Sequence, residues 1–118
     1  MSDLKQLEHD LNARVCLGDI LGAFEHYYDD GIIMQENSEP PVVGKDANRE
    51  REKQFVASVH DVHELRVLSS AVGDDVSLSE WRFDVTFNSG QRVAWDQAVA
   101  RRWKNGKVVH ERFYYNKH

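Results

Sequence analysis

The dipeptide Asn105-Gly106 stands between VAWDQAVARRW and KVVHERFYYN, two runs whose side chains alternate in character. Both residues tolerate the positive φ angles of a two-residue type I′ turn, so a β-hairpin is predicted here. Counting outward from the turn pairs Trp103 with Val108, Arg102 with Val109, Ala100 with Glu111, Ala98 with Phe113 and Asp96 with Tyr115. Directly opposed residues share a side of the sheet. One face then carries Ala94, Asp96, Ala98, Ala100, Val109, Glu111, Phe113 and Tyr115. The other carries Trp95, Gln97, Val99, Arg101, Trp103, Val108, His110, Arg112 and Tyr114.

The next connection, around NSG, decides where the preceding strand points. If it spans two or four residues, Phe87 opposes Arg92, and Val85, Phe83 and Trp81 fall opposite Ala94, Asp96 and Ala98, on the first face. A three-residue loop sends them to the second face instead. Alanines beside large aromatics leave space above a sheet, where a dry core would carry Leu, Ile or Val. The first face is therefore read as the hollow, helix-covered one. Asp96 and Glu111 then point into a space walled by Trp81, Phe83, Phe113 and Tyr115. Desolvation there raises carboxyl pKa values and makes a carboxyl a useful acid or base. Asp96 is the candidate proton-transfer residue; the alternative for either acid is a structural carboxylate paired with arginine. On the second face Trp95, Val99, Trp103 and Tyr114 form an apolar patch too large for a monomer, which predicts a homodimer through the outer face of the sheet.

Upstream, Ser2 or Asp3 caps a helix with Leu4, Leu7, Leu11 and Val15 on one face, ending near Gly18. Asp19 caps a second helix through Ile20, Leu21, Phe24, Tyr27 and Tyr28, stopped by Asp29-Asp30-Gly31. A short strand IIMQEN follows, and then a loop, SEPPVVGKD, where Pro40 and Pro41 exclude helix and central strand. Asp46 caps a third helix to about Val59, with Ala47, Phe55, Val56 and Val59 inward and NREREK mostly solvated. From Val62 onward the period is two, giving strands over about 63–72, 75–87, 91–104 and 107–116. Helices followed by antiparallel strands make an α+β domain spanning residues 1–118.

Other function classes fare poorly. A formal charge of −5 argues against nucleic-acid binding, and no apolar run is long enough for a membrane span. The acidic, polar start MSDLKQLEHD argues for a cytoplasmic address. Cys16 is the one cysteine, so no internal disulfide forms, and it is expected to be a buried apolar thiol. HDVHE places His60, His63 and Glu64 close together, but without the shared face a metal needs. No metal or cofactor is expected, and no phosphate loop, nucleophile elbow or dinucleotide fingerprint is present.

GDILGAFEHYYDD, PPVVG and the closing strands RWKNGKVVHERFYYN, in that order and spacing, resemble the nuclear transport factor 2-like superfamily, particularly its SnoaL-like branch. The resemblance covers about residues 4–116. It implies a cone-shaped fold of three N-terminal helices on a curved, mainly antiparallel sheet of four to six strands, with a central pocket and usually a homodimer. The superfamily holds ketosteroid isomerase, polyketide cyclases, a dehydratase, an epoxide hydrolase and non-catalytic binding domains. An overlay on ketosteroid isomerase puts its oxyanion-binding tyrosine on Leu11, its aspartate base on Gln35 and its protonated aspartate on Ala98. None of the three is retained, though Gln35 is expected to line the pocket with Ala100, Glu111 and Tyr115. A dehydratase-like site would instead unite Tyr28, His60 and Asp96. The resulting expectation is a small apolar ligand, held by Tyr28, Gln35, Phe55, His60, Trp81, Phe83, Glu111, Phe113 and Tyr115. It is either turned over as a hydrophobic carbonyl by a cyclase, isomerase or hydrolase, or bound without turnover.

Overall fold

A computed structural model describes residues 3–116. Helix α1 (Leu4–Cys16) starts at Asp3, whose carboxylate accepts a hydrogen bond from the Lys5 amide; Ser2, the other candidate cap, lies outside the described residues. Helix α2 (Ile20–Tyr27) starts at Asp19, which accepts from the Gly22 amide at 3.1 Å. A Cβ at Gly22 would stand 2.3 Å from Asp19 Oδ2, so the cap requires glycine there. Helix α3 (Lys45–Ser58) enters from Gly44 at φ 100°, with Asp46 in its first turn rather than at the cap. Asn48 anchors α3 by donating to the carbonyls of Ile32, Val42 and Gly44.

The strands are β1 (Tyr28–Glu36), β2 (Val42–Val43), β3 (Val59–Val72), β4 (Val76–Phe87), β5 (Arg92–Lys104) and β6 (Lys107–Tyr114). They form one sheet in the order β2-β1-β6-β5-β4-β3, with β1 parallel to β6 and every other pair antiparallel. The fold is thus α+β, three helices on a mainly antiparallel sheet. Two boundaries differ from the sequence reading because ladder pairing overrides helical periodicity. Tyr28 opens β1 opposite Val108 instead of ending α2, and β3 begins at Val59, pairing with Phe87. The proline loop also contributes the two-residue edge strand β2, directly after Pro41, where a missing amide is tolerated.

The hairpin turn forms as predicted, with Asn105 at φ 52° and Gly106 at φ 76°. Trp103 pairs with Val108, but Arg102 then pairs with His110, leaving Val109 as the extra residue of a β-bulge. Beyond it Arg101 opposes Glu111, Val99 opposes Phe113 and Ala98 opposes Tyr114. A one-residue slip exchanges faces. The β4–β5 connection takes the three-residue alternative: the Phe87 amide donates to Gln91 O across Asn88-Ser89-Gly90, and Trp81 and Phe83 oppose Gln97 and Trp95. The two shifts compensate for β4 and β6 and leave β5 reversed.

Trp81, Phe83, Glu111, Phe113 and Tyr115 therefore share the helix-covered face with Trp95, Gln97, Val99, Arg101 and Trp103. The predicted outer patch is corrected accordingly. Val99 and Trp103 are buried beneath the helices, Trp95 stacks on Phe83 at 5.0 Å between ring centroids, and Tyr114 alone of the four stays on the exposed face. Two further expectations fail. Cys16 is exposed at the end of α1, and Ala47 is exposed while Asn48 from the nominally solvated NREREK stretch is fully buried.

Leu11, Phe24, Tyr28, Ile32, Met34, Trp103 and Val108 form one core cluster; Trp81, Phe83 and Val99 form a second, and Val15 and Phe113 pack against both. Trp103 also donates from its indole to Ser77 Oγ at 2.8 Å. Trp103→Ala is expected to cost about 3–5 kcal/mol in urea unfolding, the usual loss for a buried tryptophan. Because the ring is internal, sedimentation of the folded variant is expected to match the wild type.

Candidate functional site

The strand register and helix α1 bring five polar side chains together under the helices. Arg101, 3% exposed, donates from Nε to Glu111 Oε2 at 2.6 Å and from Nη1 to Glu8 Oε1 at 2.7 Å and Asn12 Oδ1 at 2.6 Å. Tyr28 donates its hydroxyl to the same Glu111 oxygen. Burial opposes the Arg101 charge, but Tyr28, Glu111 and Glu8 outweigh it and hold the guanidinium protonated. Burial and the Glu111 charge push the Tyr28 phenol well above its ordinary pKa. Tyr28, Arg101 and Glu111 of this network line a cavity of about 390 Å³ between the helices and the sheet.

Aromatic rings of Phe55, Trp81, Phe83, Phe87, Trp95, Phe113 and Tyr115 supply the walls. Trp81 satisfies its indole on Ser79 Oγ and Trp95 on Gln97 Oε1, so the rings present apolar faces. At another part of the lining Glu36 accepts from Arg51 at 3.0 Å and from the Tyr115 hydroxyl at 3.1 Å. Burial, then the Glu36 charge, raises the Tyr115 phenol to about 12.

One carboxyl in the cavity has no partner among the described residues. Glu52, partly buried on α3, makes no hydrogen bond or ion pair among the described residues. Desolvation first, and the Glu111 charge second, raise its carboxyl to about 7. Its position was visible as spacing: Asn48, Glu52 and Phe55 fall at the four- and three-residue intervals of one helical face. The stretch reads as solvated because it is charged, and that hid the one carboxyl carried inward.

The predicted site residues divide. Tyr28, Phe55, Trp81, Phe83, Glu111, Phe113 and Tyr115 line the cavity; Asp96, Gln35 and His60 do not. Asp96 faces the outer side in a two-point ion pair with Arg82, at 2.8 and 3.1 Å, and that hydrogen bonding lowers its pKa instead of raising it. The bulge at Val109 is the cause, since it moves Glu111 and not Asp96 onto the helix-covered side. Gln35 donates to Glu39 O, leaving its neighbours Met34 and Glu36 to line the cavity. His60 is exposed on β3 beside Asp61, so Tyr28, His60 and Asp96 do not converge. Ala98 and Ala100, placed in the pocket by the isomerase overlay, also lie on the outer side.

Helices over a six-stranded sheet with a pocket between them define the nuclear transport factor 2-like, ketosteroid isomerase-like class of fold. The chain belongs to the SnoaL-like domain family, which matches residues 26–115. It is similar to a Mesorhizobium loti protein described as a SnoaL-like polyketide cyclase and also as a carbohydrate phosphatase, with 32% identity, 97% of this chain and 100% of that one covered, and a TM-score of 0.85. Two more distant structures share the fold. AclR of Streptomyces galilaeus, described as a hydroxylase, has 22% identity over 95% of this chain and 87% of its own, with a TM-score of 0.77. A Catenulispora acidiphila protein of ketosteroid isomerase-like fold, solved with trimethylamine, has 12% identity over 88% and 81%, with a TM-score of 0.74. Comparison with curated proteins finds no match. Among the described residues no helix is long and apolar enough to cross a membrane.

The raised Glu52 pKa makes a stability prediction whose sign is opposite to that of a paired carboxylate. A carboxyl with a folded pKa above its unfolded value binds its proton more tightly in the native state, so its unfavourable effect on folding grows as pH rises through the interval up to about 7. Glu52→Gln is therefore expected to raise the melting temperature more at about pH 8 than at about pH 5, measured by calorimetry against the wild type.

Proposed function

We propose that this protein binds a small, mostly apolar carbonyl compound in the aromatic cavity and moves a proton on it, as a cyclase or isomerase does, with Glu52 as the base and acid. The observation that carries this reading is the Glu52 carboxyl, unpartnered among the described residues, in a cavity walled largely by rings. Ionised, Glu52 takes a proton from the carbon beside the carbonyl; protonated, it returns it to that carbon or to another. A pKa of about 7 suits both halves, because a proton-transfer group works best when its pKa lies near the operating pH. The polyketide cyclase description of the Mesorhizobium loti relative supports the same reaction class. Glu52 on α3 takes over from the isomerase base position, where this chain has Gln35 bonded to Glu39 O.

Hydrogen–deuterium exchange at the α-carbon of aryl ketones tests this without knowledge of the natural substrate. Ketones that raise the melting temperature are expected to exchange faster with the protein than in buffer. Glu52→Gln is expected to slow that exchange about a hundredfold or more, and Asp96→Asn, on the outer side, to leave it unchanged. Binding without exchange in the wild type refutes turnover and supports a ligand-binding domain.

We further propose that the outer face of the sheet meets a second copy of the chain. Leu78, Ala100 and Arg112 lie side by side across β4, β5 and β6, as do Glu80, Ala98 and Tyr114. Leu78 is 53% and Tyr114 46% exposed, and the alanines between them leave a shallow strip that a two-fold axis can fill with its own image. Sedimentation equilibrium is expected to show a dimer that Leu78→Asp splits; a wild-type monomer at micromolar concentration refutes it.

A further inference from the structure

Arg101 has a donor to spare. Its Nε and Nη1 are committed to Glu111, Glu8 and Asn12, and among the described residues Nη2 makes no hydrogen bond. The side-chain polar atom that is both sealed and unpartnered among the described residues is Glu8 Oε2, so Nη2 is not closed off by protein. Arg101 lines the cavity, and Nη2 is the guanidinium nitrogen its protein partners leave uncommitted. A guanidinium held on two sides beside a ligand space, with its third nitrogen uncommitted, is a pre-organised donor. Tyr28, the hydroxyl beside it, is unsuited to that task because its proton is already given to Glu111.

We propose that Arg101 is the oxyanion donor of this site, its Nη2 holding the carbonyl oxygen of the bound molecule. The assignment rests on the proton-transfer reading of Glu52 and names the other half of that chemistry. As the Glu52 carboxylate accepts the α-proton, the C–H electron pair becomes the new C=C bond and the carbonyl π pair moves onto oxygen, where Nη2–H stabilises it. Return of the proton from Glu52 to carbon reverses the flow, with no oxidant or reductant involved. Charge sets the specificity. Arg101 already neutralises part of two buried carboxylates, Glu8 and Glu111, so a ligand arriving with its own negative charge is disfavoured. Enolisation adds no charge to the cavity, because what Glu52 loses the oxygen gains. The site accordingly selects a neutral ketone over a carboxylate of the same shape.

The test uses 2-naphthol, whose oxygen mimics an enolate and which is neutral in free solution about one pH unit above the Glu52 midpoint. In the wild type the bound naphthol is expected to ionise, read as a red-shifted absorbance, while the Arg101 Nη2 proton resonances move downfield. Arg101→Lys, confirmed as folded by circular dichroism, is expected to bind naphthol about tenfold or more weakly, the worth of a hydrogen bond from a charged donor. Should that variant not fold, the wild-type Nη2 resonances decide by themselves. Naphthol bound with Nη2 unmoved, or no binding up to millimolar concentration, overturns the assignment. Failure of the Glu52 reading gives a different pattern: Nη2 shifts, but the naphthol stays neutral and ketones do not exchange.

Discussion

The buried guanidinium of Arg101 is the constraint on which the rest of the structure depends. A charge in a low-dielectric interior is tolerated only with its partners in place, and removal of one partner from such a group typically costs about 3–5 kcal/mol. Here the partners come from different parts of the chain. Glu8 and Asn12 arrive on α1, Glu111 on β6, and Glu111 in turn holds Tyr28 at the start of β1. One side chain therefore ties the first helix, the central strands and the parallel strand together. It also ties itself to the bulge at Val109. In an unbulged hairpin Glu111 would lie opposite Ala100, on the side away from Arg101, so the ion pair and the irregular register require each other.

The same arrangement explains why the Arg101–Glu111 pair and a set of aromatic walls share one cavity. Once Arg101 and Glu111 occupy the helix-covered face, alternation brings Val99, Gln97 and Trp95 to that face along β5, with Phe83 and Trp81 beside them on β4. Helix α3 closes the space from above. Its position is fixed by Asn48, bonded to three carbonyls, and by Lys45, whose ammonium bonds Glu25 O at 3.0 Å and Tyr28 O at 2.8 Å. Glu52 lies one turn beyond Asn48, so its carboxyl is delivered by an anchored element and needs no loop to move.

Much of this is legible in the sequence. The Asn-Gly turn, the Asp3 and Asp19 caps, the order of helices and strands and most of the aromatic lining follow from local chemistry: φ preferences, capping hydrogen bonds and hydrophobic period. The errors on β5 share one origin. Asp96, Trp95, Val99 and Trp103 were placed by counting along β5 from a regular hairpin, and a count carries every earlier slip forward. Glu111, Phe113 and Tyr115 keep the expected face through a compensation that no count could foresee, the bulge in one hairpin matching the odd loop of the next. Glu52 escaped for a different reason: its neighbours in the chain are charged, and a lone acid facing inward looks like the rest of a solvated helix.

What the sequence determined by itself is therefore the set of elements and the residue types available to a site, because turns, caps and periods are interactions between near neighbours. Which acid enters the cavity was decided only by tertiary structure. Asp96 lies outward with Arg82 and Glu111 inward with Arg101 because burying one guanidinium demanded oxygen partners from residues 8, 12 and 111, distances along the chain that no local rule spans.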